Sequence, residues 1–342
     1  MNPTTPGSPG PAGGGTRRRG GDKPRPSAFR VERLLRQALL DPSLPSFAGD
    51  LEFADWLDAG GEGPLVAARK ATIAADPRER AQDLAFDAYE QPARKALATA
   101  RRALKLDPAC TDARAIRAYV THGDSPELIM ELEEVLADAE RELGAEFFTE
   151  AGGDFRALVK ARPYLRTARQ LSVLLWDAGY RLDAVAWSEY LMDLDPRDHT
   201  GNAPLLVGNY LAMGEVQRAW DVLEKYDRGN SAVLAWAWVL LHLLVDDEER
   251  ARTALDRALA LNPWAAPGIL GFTEEPEPET SPFVAAGSQA EAAVCEQVLG
   301  EAWDRAPYAQ DWLEEVLEQL GLLDDDPDDD GGGSPPPLRI VN

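Results

Sequence analysis

Apolar residues recur along this chain at the spacing of one face of a helix, and no segment alternates apolar and polar residues as a half-buried strand does. The pattern predicts a first helix that Ser27 caps and Asp41-Pro42 ends. A short second helix follows over 51–57, and a third runs from Pro64 and stops before Pro77. Pairs of helices then follow one another, so the pattern predicts an all-α fold.

A recurring distance between a small residue and a proline predicts that these helices form a repeat. Three alanines are each followed twelve positions later by the proline of an Asp-Pro or Asn-Pro pair: Ala96 and Pro108, Ala184 and Pro196, Ala251 and Pro263. A small side chain lets a partner helix cross closely, and proline ends a helix because it cannot continue the hydrogen-bond ladder. The spacing fits the second helix of a helix–turn–helix repeat of about 34 residues.

The repeat is best defined between residues 163 and 263. Three turn residues each precede an alanine by five positions, and these alanines are 35 and 32 residues apart: Gly179 and Ala184, Gly214 and Ala219, Asp246 and Ala251. Between residues 108 and 163 the register slips. We expect the surplus residues to form a long helix over 126–143 and a Gly-Gly loop at 152–153.

Composition divides the chain into five segments. We predict a disordered basic arm over 1–26, a helical-repeat array over 27–272, an acidic linker over 273–282, capping helices over 283–321 and a disordered acidic tail over 322–342. Two helices are expected in the capping segment, over 288–305 and 309–320. A repeat array needs an atypical terminal unit to seal its exposed end, and this pair suits that role.

The net charge of −24 is distributed unevenly. Residues 1–36 sum to +6 and the other residues to −30, a surface that repels phosphate backbones and makes general nucleic-acid binding unfavourable. The most apolar stretch, 232–245, has fourteen residues and contains His242, which suits a buried helix rather than a membrane span. The two cysteines are far apart in sequence. Together with the absence of an apolar leader, they indicate a cytoplasmic protein with inert buried thiols.

The part of the chain from Arg162 to Leu270, and more loosely the predicted capping segment, resembles a particular group of helical-repeat proteins. The resemblance rests on four motifs: Arg162-Pro163-Tyr164-Leu165-Arg166 followed by Leu175-Trp176 and Gly179; Leu194-Asp195-Pro196-Arg197-Asp198 followed by Gly201; Asn262-Pro263-Trp264 followed by Pro267 and Leu270; and Gly287-Ser288 followed by Glu291-Ala292. These segments resemble bacterial tetratricopeptide-like proteins related to the suppressor of tumorigenicity 7 protein. His199-Thr200 and Asn202 depart from that pattern. The resemblance implies a tetratricopeptide-like solenoid of helical hairpins that serves as an adaptor, and it implies no catalytic residue.

No motif of a known catalytic, cofactor or metal site occurs in the sequence. The histidines, His122, His199 and His242, fall in different repeats, and there is no nucleophile elbow, phosphate-binding loop or paired-cysteine motif. The aspartate run at 324–330 lacks the glycine turn and the ligand spacing of a calcium loop. We therefore predict a protein that is not an enzyme, with no catalytic, cofactor-binding or metal-binding residue.

Three arginines form the most distinctive polar group of the predicted array. Arg162, Arg166 and Arg169, at spacings of four and three, lie on one face of a helix, where they would bind a carboxylate or an acidic peptide. In helical-repeat proteins the first helix of each pair lines the concave face that binds peptides, and Trp176 and Asn209 are the expected neighbours. The alternative is structural, with the arginines pairing to Asp154, Asp177 or Asp183 and joining adjacent repeats.

Tryptophans in the repeats offer either core packing or partner contacts. The group comprises Trp176, Trp187, Trp220, Trp236 and Trp238. Trp236 and Trp238 are two positions apart on a helix, so they face different sides. We accordingly expect a cytoplasmic scaffold that binds a protein or peptide partner on its concave face. An enzyme or regulatory subunit with an unrecognised site and an oligomerisation module are the competing hypotheses.

Overall fold

A computed structural model describes residues 29–40, 47, 50–61, 63, 65–66, 70, 75–123, 125–150, 155–272 and 284–322. All regular secondary structure in these ranges is helical, which confirms the predicted all-α class. The basic arm, the Gly-Gly loop, the acidic linker and all but Leu322 of the acidic tail lie outside the described residues. The predicted third helix lies largely outside them as well.

The described helices follow the predicted order closely. They are α1 (Arg30–Leu40), α2 (Asp50–Trp56), α3 (Pro77–Tyr89), α4 (Ala93–Leu106), α5 (Thr111–His122), α6 (Pro126–Leu143), α7 (Ala145–Glu150), α8 (Phe155–Asp177), α9 (Arg181–Leu194), α10 (Ala203–Met213), α11 (Val216–Tyr226), α12 (Ala232–Leu244), α13 (Glu248–Leu261), α14 (Ala265–Ile269), α15 (Gln289–Asp304) and α16 (Pro307–Gln319). The long helix predicted over 126–143 is α6.

Prolines end the helices as their spacing predicts. Helices α4, α9 and α13 finish at Leu106, Leu194 and Leu261, each directly before the Asp-Pro or Asn-Pro pair. The alanines twelve residues before those prolines are buried, with exposures of 5% at Ala96 and 0% at Ala184 and Ala251. Small buried side chains at these positions allow the neighbouring helix to approach closely.

The same turn occurs at three hairpins. Gly179, Gly214 and Asp246 all have left-handed backbone, with φ of 87°, 75° and 57°. At each, the next amide donates to the carbonyl oxygen five residues back, as in the bonds from Tyr180 to Leu175 and from Asp247 to His242. This pattern is the Schellman motif, which needs one left-handed residue and therefore favours glycine. The predicted turn markers thus share one physical role.

Helix α8 runs through Pro163, the residue at which the best-defined part of the predicted repeat begins. It begins eight residues earlier, at Phe155, and contains Pro163 in its interior. Proline removes one hydrogen bond of the ladder, but Leu158 and Leu165 on either side of it are both buried in the core. The Thr167 hydroxyl donates to the carbonyl of Pro163 at 2.8 Å. Packing on both sides of the proline therefore extends the helix through it.

Consecutive helices pack as hairpins: α3 with α4, α5 with α6, α8 with α9, α10 with α11, and α12 with α13. We call the first helices of these five hairpins the first-helix layer. Within it α3 contacts α5, α5 contacts α8, and α10 contacts α12. All five residues predicted to bind a partner lie on helices of this layer.

Helices from both ends of the described chain lie against the first-helix layer. Helix α1 contacts α8, and its Arg33 and Arg36 pair with Asp83, Asp87 and Glu79 of α3. Helix α15 contacts α10, α12 and α14, while α16 contacts α15 and α12. The α10–α15 approach is close, since a Cβ added to Gly208 would lie 2.2 Å from the carbonyl oxygen of Val298. The predicted capping pair thus also crosses the first helices of two hairpins.

Candidate functional site

Arg166 of α8 is the centre of a largely buried charged cluster. Its Nε and Nη2 donate to the two carboxylate oxygens of Asp112 on α5, at 3.1 and 2.7 Å, and its Nη1 donates to Glu32 of α1 at 3.1 Å. The guanidinium also lies over the rings of Phe29 and Tyr89, 5.2 and 5.6 Å from their centroids. One side chain therefore joins α1, α3, α5 and α8.

Asp112 receives two further hydrogen bonds. Gln82 Nε2 donates at 2.6 Å and the Tyr89 hydroxyl at 2.9 Å, and the Asp112 side chain is 0% exposed. Burial by itself would raise the pKa of this carboxyl, but the charge of Arg166 and the hydrogen bonds hold it below its usual value. The cluster is thus a stable buried ion pair with its oxygen atoms occupied.

The acids that pair with Arg166 are distant in sequence. The structural alternative named Asp154, Asp177 and Asp183, whereas the partners are Asp112 and Glu32. Asp177 lies eleven residues along the helix from Arg166, about 16 Å at the rise of an α-helix, so it is out of reach. Asp154 lies outside the described residues.

The other two arginines of the predicted stripe have different surroundings. Arg162 is partly buried on α8, one turn before Arg166. Arg169 is also partly buried, and its Nε has no hydrogen-bond partner among the described residues. Burial lowers the pKa of Arg169, against the opposing charge of Asp198. Arg166 and Arg169 therefore lie beside different acids, Asp112 and Glu32 for the first and Asp198 for the second.

Trp176, near the end of α8, binds the first helix of the predicted capping pair, α15. Its Nε1 donates to Glu301 of α15 at 2.8 Å, and Arg181 donates to the other oxygen of the same carboxylate, also at 2.8 Å. The Arg181 guanidinium lies 4.1 Å from the centroid of the Trp176 ring. Glu301 thereby joins α15 to the turn between α8 and α9.

The surface beside this junction carries two exposed apolar side chains. Tyr180 and Leu182, on either side of Arg181, are 57% and 74% exposed. Tyrosine, tryptophan and arginine are enriched in protein-binding hot spots, and the exposed leucine beside them adds apolar area that a partner can bury. Residues 180–182, at the start of α9, together with Trp176 are called the junction patch below.

Asn209 of α10 is buried rather than available on an open surface. It is 3% exposed, and its Nδ2 has no hydrogen-bond partner among the described residues. The preceding residue, Gly208, makes the close approach to α15. Asn209 and Trp176 are therefore both on helices that neighbour α15.

Asn262 tethers the start of α15 to the end of α13. It is 0% exposed, and its Nδ2 donates to the carbonyl of Ser288 at 2.9 Å and to Glu291 at 3.0 Å. The backbone carbonyl of Asn262 accepts a hydrogen bond from the indole of Trp236 at 3.1 Å. Asn262 belongs to one of the motifs on which the family resemblance rests, but the sequence did not indicate this contact.

The five residues predicted to bind a partner therefore fall into separate environments. Arg166 binds an acid of α1, Trp176 binds an acid of α15, Asn209 is buried, and Arg162 and Arg169 are partly buried on α8. Sequence reasoning missed the acids themselves, Glu32, Asp112 and Glu301, because nothing in the helical periodicity pairs residues so far apart.

The described thiols and histidines form no joint site. Cys110 and Cys295 are free and buried, and burial raises the pKa of each thiol to about 12. His122 contacts Glu131 at 2.6 Å and His199 contacts Asp195 at 2.7 Å, in different parts of the fold. Among the described residues no group of three or more His, Cys, Asp and Glu side chains is arranged to hold a metal ion.

Within the described ranges, every helix is too short or too polar to cross a bilayer. A scan of the chain against protein-family models gave no match, and a search of curated proteins gave no significant one.

Proposed function

We propose that the chain is a non-catalytic protein-binding scaffold, built as a tetratricopeptide-like solenoid of helical hairpins, which contacts its partner at the junction patch. The observation that carries the proposal is the exposure of Tyr180 and Leu182 beside Trp176 and Arg181. The repeated left-handed turns, the proline-terminated second helices and the resemblance of residues 162–270 to tetratricopeptide-like proteins support the solenoid.

The first-helix layer is already in contact with three other helices of the chain itself, α1, α15 and α16. Cys295, Leu299 and Trp303 of α15 are each 0% exposed, so its release would return a large apolar area to water. Burying one leucine-sized side chain contributes roughly 1.5–3 kcal/mol. A partner is therefore expected to bind beside α15 and not in its place, which directs it to the neighbouring junction patch.

The chemistry of the junction patch defines the kind of partner. Tyr180 and Leu182 supply apolar area, and Arg181 lies between them with a side chain that is 31% exposed. Glu301 already accepts from Nη2, and Nη1 is buried without a hydrogen-bond partner among the described residues, so the partly exposed guanidinium attracts a second carboxylate mainly through its charge. We expect a protein segment with an apolar side chain followed by an acidic residue or by its own C-terminal carboxylate.

Site-specific photocrosslinking tests this proposal in the full chain. A photoreactive amino acid at Leu182 is expected to capture a defined protein in the native host. The same group at Met130, 64% exposed on α6, serves as the matched control. Leu182→Glu should abolish co-purification of the captured protein without changing the melting temperature, because the side chain is exposed. Met130→Glu should leave co-purification intact.

Three results would contradict the proposal. Capture of the same proteins from both positions would show that exposure alone causes the crosslinks. Retention of the partner by Leu182→Glu would remove the junction patch from the interface. A crosslink only to a second copy of the chain would instead support the alternative of an oligomerisation module.

A further inference from the structure

A second candidate site lies between α11, α12 and α13, away from the junction patch. Trp220, Trp238 and His242 form an aromatic wall, and Arg250, Thr253, Ala254 and Arg257 of α13 complete an open pocket of about 470 Å³. Pockets that hold small molecules are typically about 300–1,000 Å³. The two tryptophans of the pair at 236 and 238 separate as predicted, since Trp236 is 0% exposed in the core and Trp238 lines this pocket.

The aromatic wall has a fixed geometry. The rings of Trp220 and Trp238 meet edge to face, with centroids 5.1 Å apart at 87°, and His242 stacks on Trp238 at 5.4 Å and 21°. Asp227 accepts a hydrogen bond from the Trp238 indole at 2.9 Å and pairs with Arg257 at 2.7 Å. Trp238 and Arg257 are therefore held in place before any ligand arrives, which reduces the entropic cost of binding.

His242 is a buried polar group that the fold leaves incompletely paired. It is 8% exposed, it lines the pocket, and its Nδ1 has no hydrogen-bond partner among the described residues. Unsatisfied buried polar atoms are uncommon in folded proteins, because each costs about 1–3 kcal/mol. A histidine of this kind in a helix of the core would ordinarily be fully bonded.

The charges that face the pocket decide the class of ligand. An aromatic wall alone would suit a cation, but the charged residues that line this pocket are Arg250 and Arg257. The carboxylates of Asp227 and Asp247, which pair with them, are not among the lining residues. A bound cation would face two guanidinium groups, whereas a planar ring with an anionic group would satisfy both the wall and the arginines.

We propose that this pocket binds a small planar aromatic anion, in which the ring packs on Trp220 and a carboxylate or phosphate contacts Arg250 and Arg257. The site is independent of the junction patch, so either proposal can fail without the other. The ring would contribute apolar burial, and the anion would contribute charge-assisted hydrogen bonds at the mouth.

Fluorine NMR of the full chain labelled with 5-fluorotryptophan tests this binding. Trp220→Phe and Trp238→Phe assign the two resonances, and the probes are indole-3-acetate and adenosine 5′-monophosphate. Their uncharged counterparts are 3-methylindole and adenosine, and tryptamine is the cationic probe. We expect at least one anion to shift both resonances saturably, with an affinity at least tenfold above that of its uncharged counterpart and of tryptamine. The anion that binds shows whether the site takes a carboxylate or a phosphate.

Two variants at exposed positions test the assignment of the pocket. Arg250→Gln should weaken the anion about tenfold, and Thr253→Phe should narrow the mouth and abolish the shifts. Arg101→Gln, at an exposed position of α4, is the matched control and should leave the affinity unchanged. Equal affinities for anion and cation, unchanged Trp220 and Trp238 resonances with every probe, or full binding by Thr253→Phe would each overturn the proposal.

Discussion

Replacing Arg166 by methionine separates a structural arginine from a partner-binding one. Methionine keeps much of the volume but leaves the carboxylates of Asp112 and Glu32 without their cation, at side-chain exposures of 0% and 8%. Removing one partner of a buried ion pair costs roughly 3–5 kcal/mol, because the remaining charge is uncompensated. We expect Arg166→Met to lower the free energy of unfolding by about that amount.

The pH dependence gives this prediction a sign. In the native chain the pKa of Asp112 is below its usual value of about 3.9, so its contribution to stability is present above pH 4 and is lost in stronger acid. In Arg166→Met burial remains without the opposing cation, and the pKa of Asp112 should rise. The variant then takes up a proton on folding, and its deficit relative to the native chain should shrink as the pH falls from 7 towards 4.

Urea denaturation followed by circular dichroism measures both effects, with two controls. Arg169→Met lies on the same helix at an arginine whose Nε is unpaired, and it should cost less than about 1 kcal/mol. Asp112→Asn combined with Arg166→Met should recover part of the loss, because no buried carboxylate then remains on α5. An unchanged midpoint in Arg166→Met, accompanied by weaker partner binding, would refute the structural role and restore the partner-binding one.

Three further outcomes follow from the turns, the tether and the thiols. In urea denaturation, Gly214→Ala should lower the free energy of unfolding by about 1–2 kcal/mol, and Asp246→Gly should raise it by up to about 1 kcal/mol. Both positions have positive φ, and an added Cβ at Gly214 meets no atom within 4 Å, so the effect there comes from the backbone conformation. Asn262→Asp should lower the free energy of unfolding by about 1–3 kcal/mol and speed proteolysis within α15, because a carboxylate cannot donate to Ser288. Cys110 and Cys295, with pKa values raised to about 12 by burial, should react with a thiol reagent at pH 8 only after unfolding. Equal reaction rates in the folded and unfolded chain would contradict their burial.

Local signals in the sequence predict the helices well, and distant contacts explain what they miss. Proline and left-handed turn residues act on the backbone within a few positions, so the ends of α4, α9 and α13 follow from sequence alone. Pro163 does not end α8, because the packing of buried leucines on both sides outweighs one lost hydrogen bond. The helical spacing predicts the stripe of arginines, but Asp112, the partner of Arg166, lies 54 residues away on another helix. Only the folded arrangement of α5 against α8 shows that Arg166 is already bound.

Of the three Asp-Pro or Asn-Pro pairs that end a helix, the one with asparagine makes a contact that ending the helix does not require. At all three positions the side chain accepts a backbone N–H of the following turn: Asp107 from Ala109, Asp195 from Thr200, and Asn262 from Trp264. An aspartate serves this purpose fully. Asn262 also donates to Ser288 and Glu291 at the start of α15, which a carboxylate cannot do and where a second negative charge would repel Glu291. The departure from aspartate therefore occurs at the hairpin against which α15 docks, and a difference between the three Asp/Asn-Pro positions carries structural information that their common pattern does not.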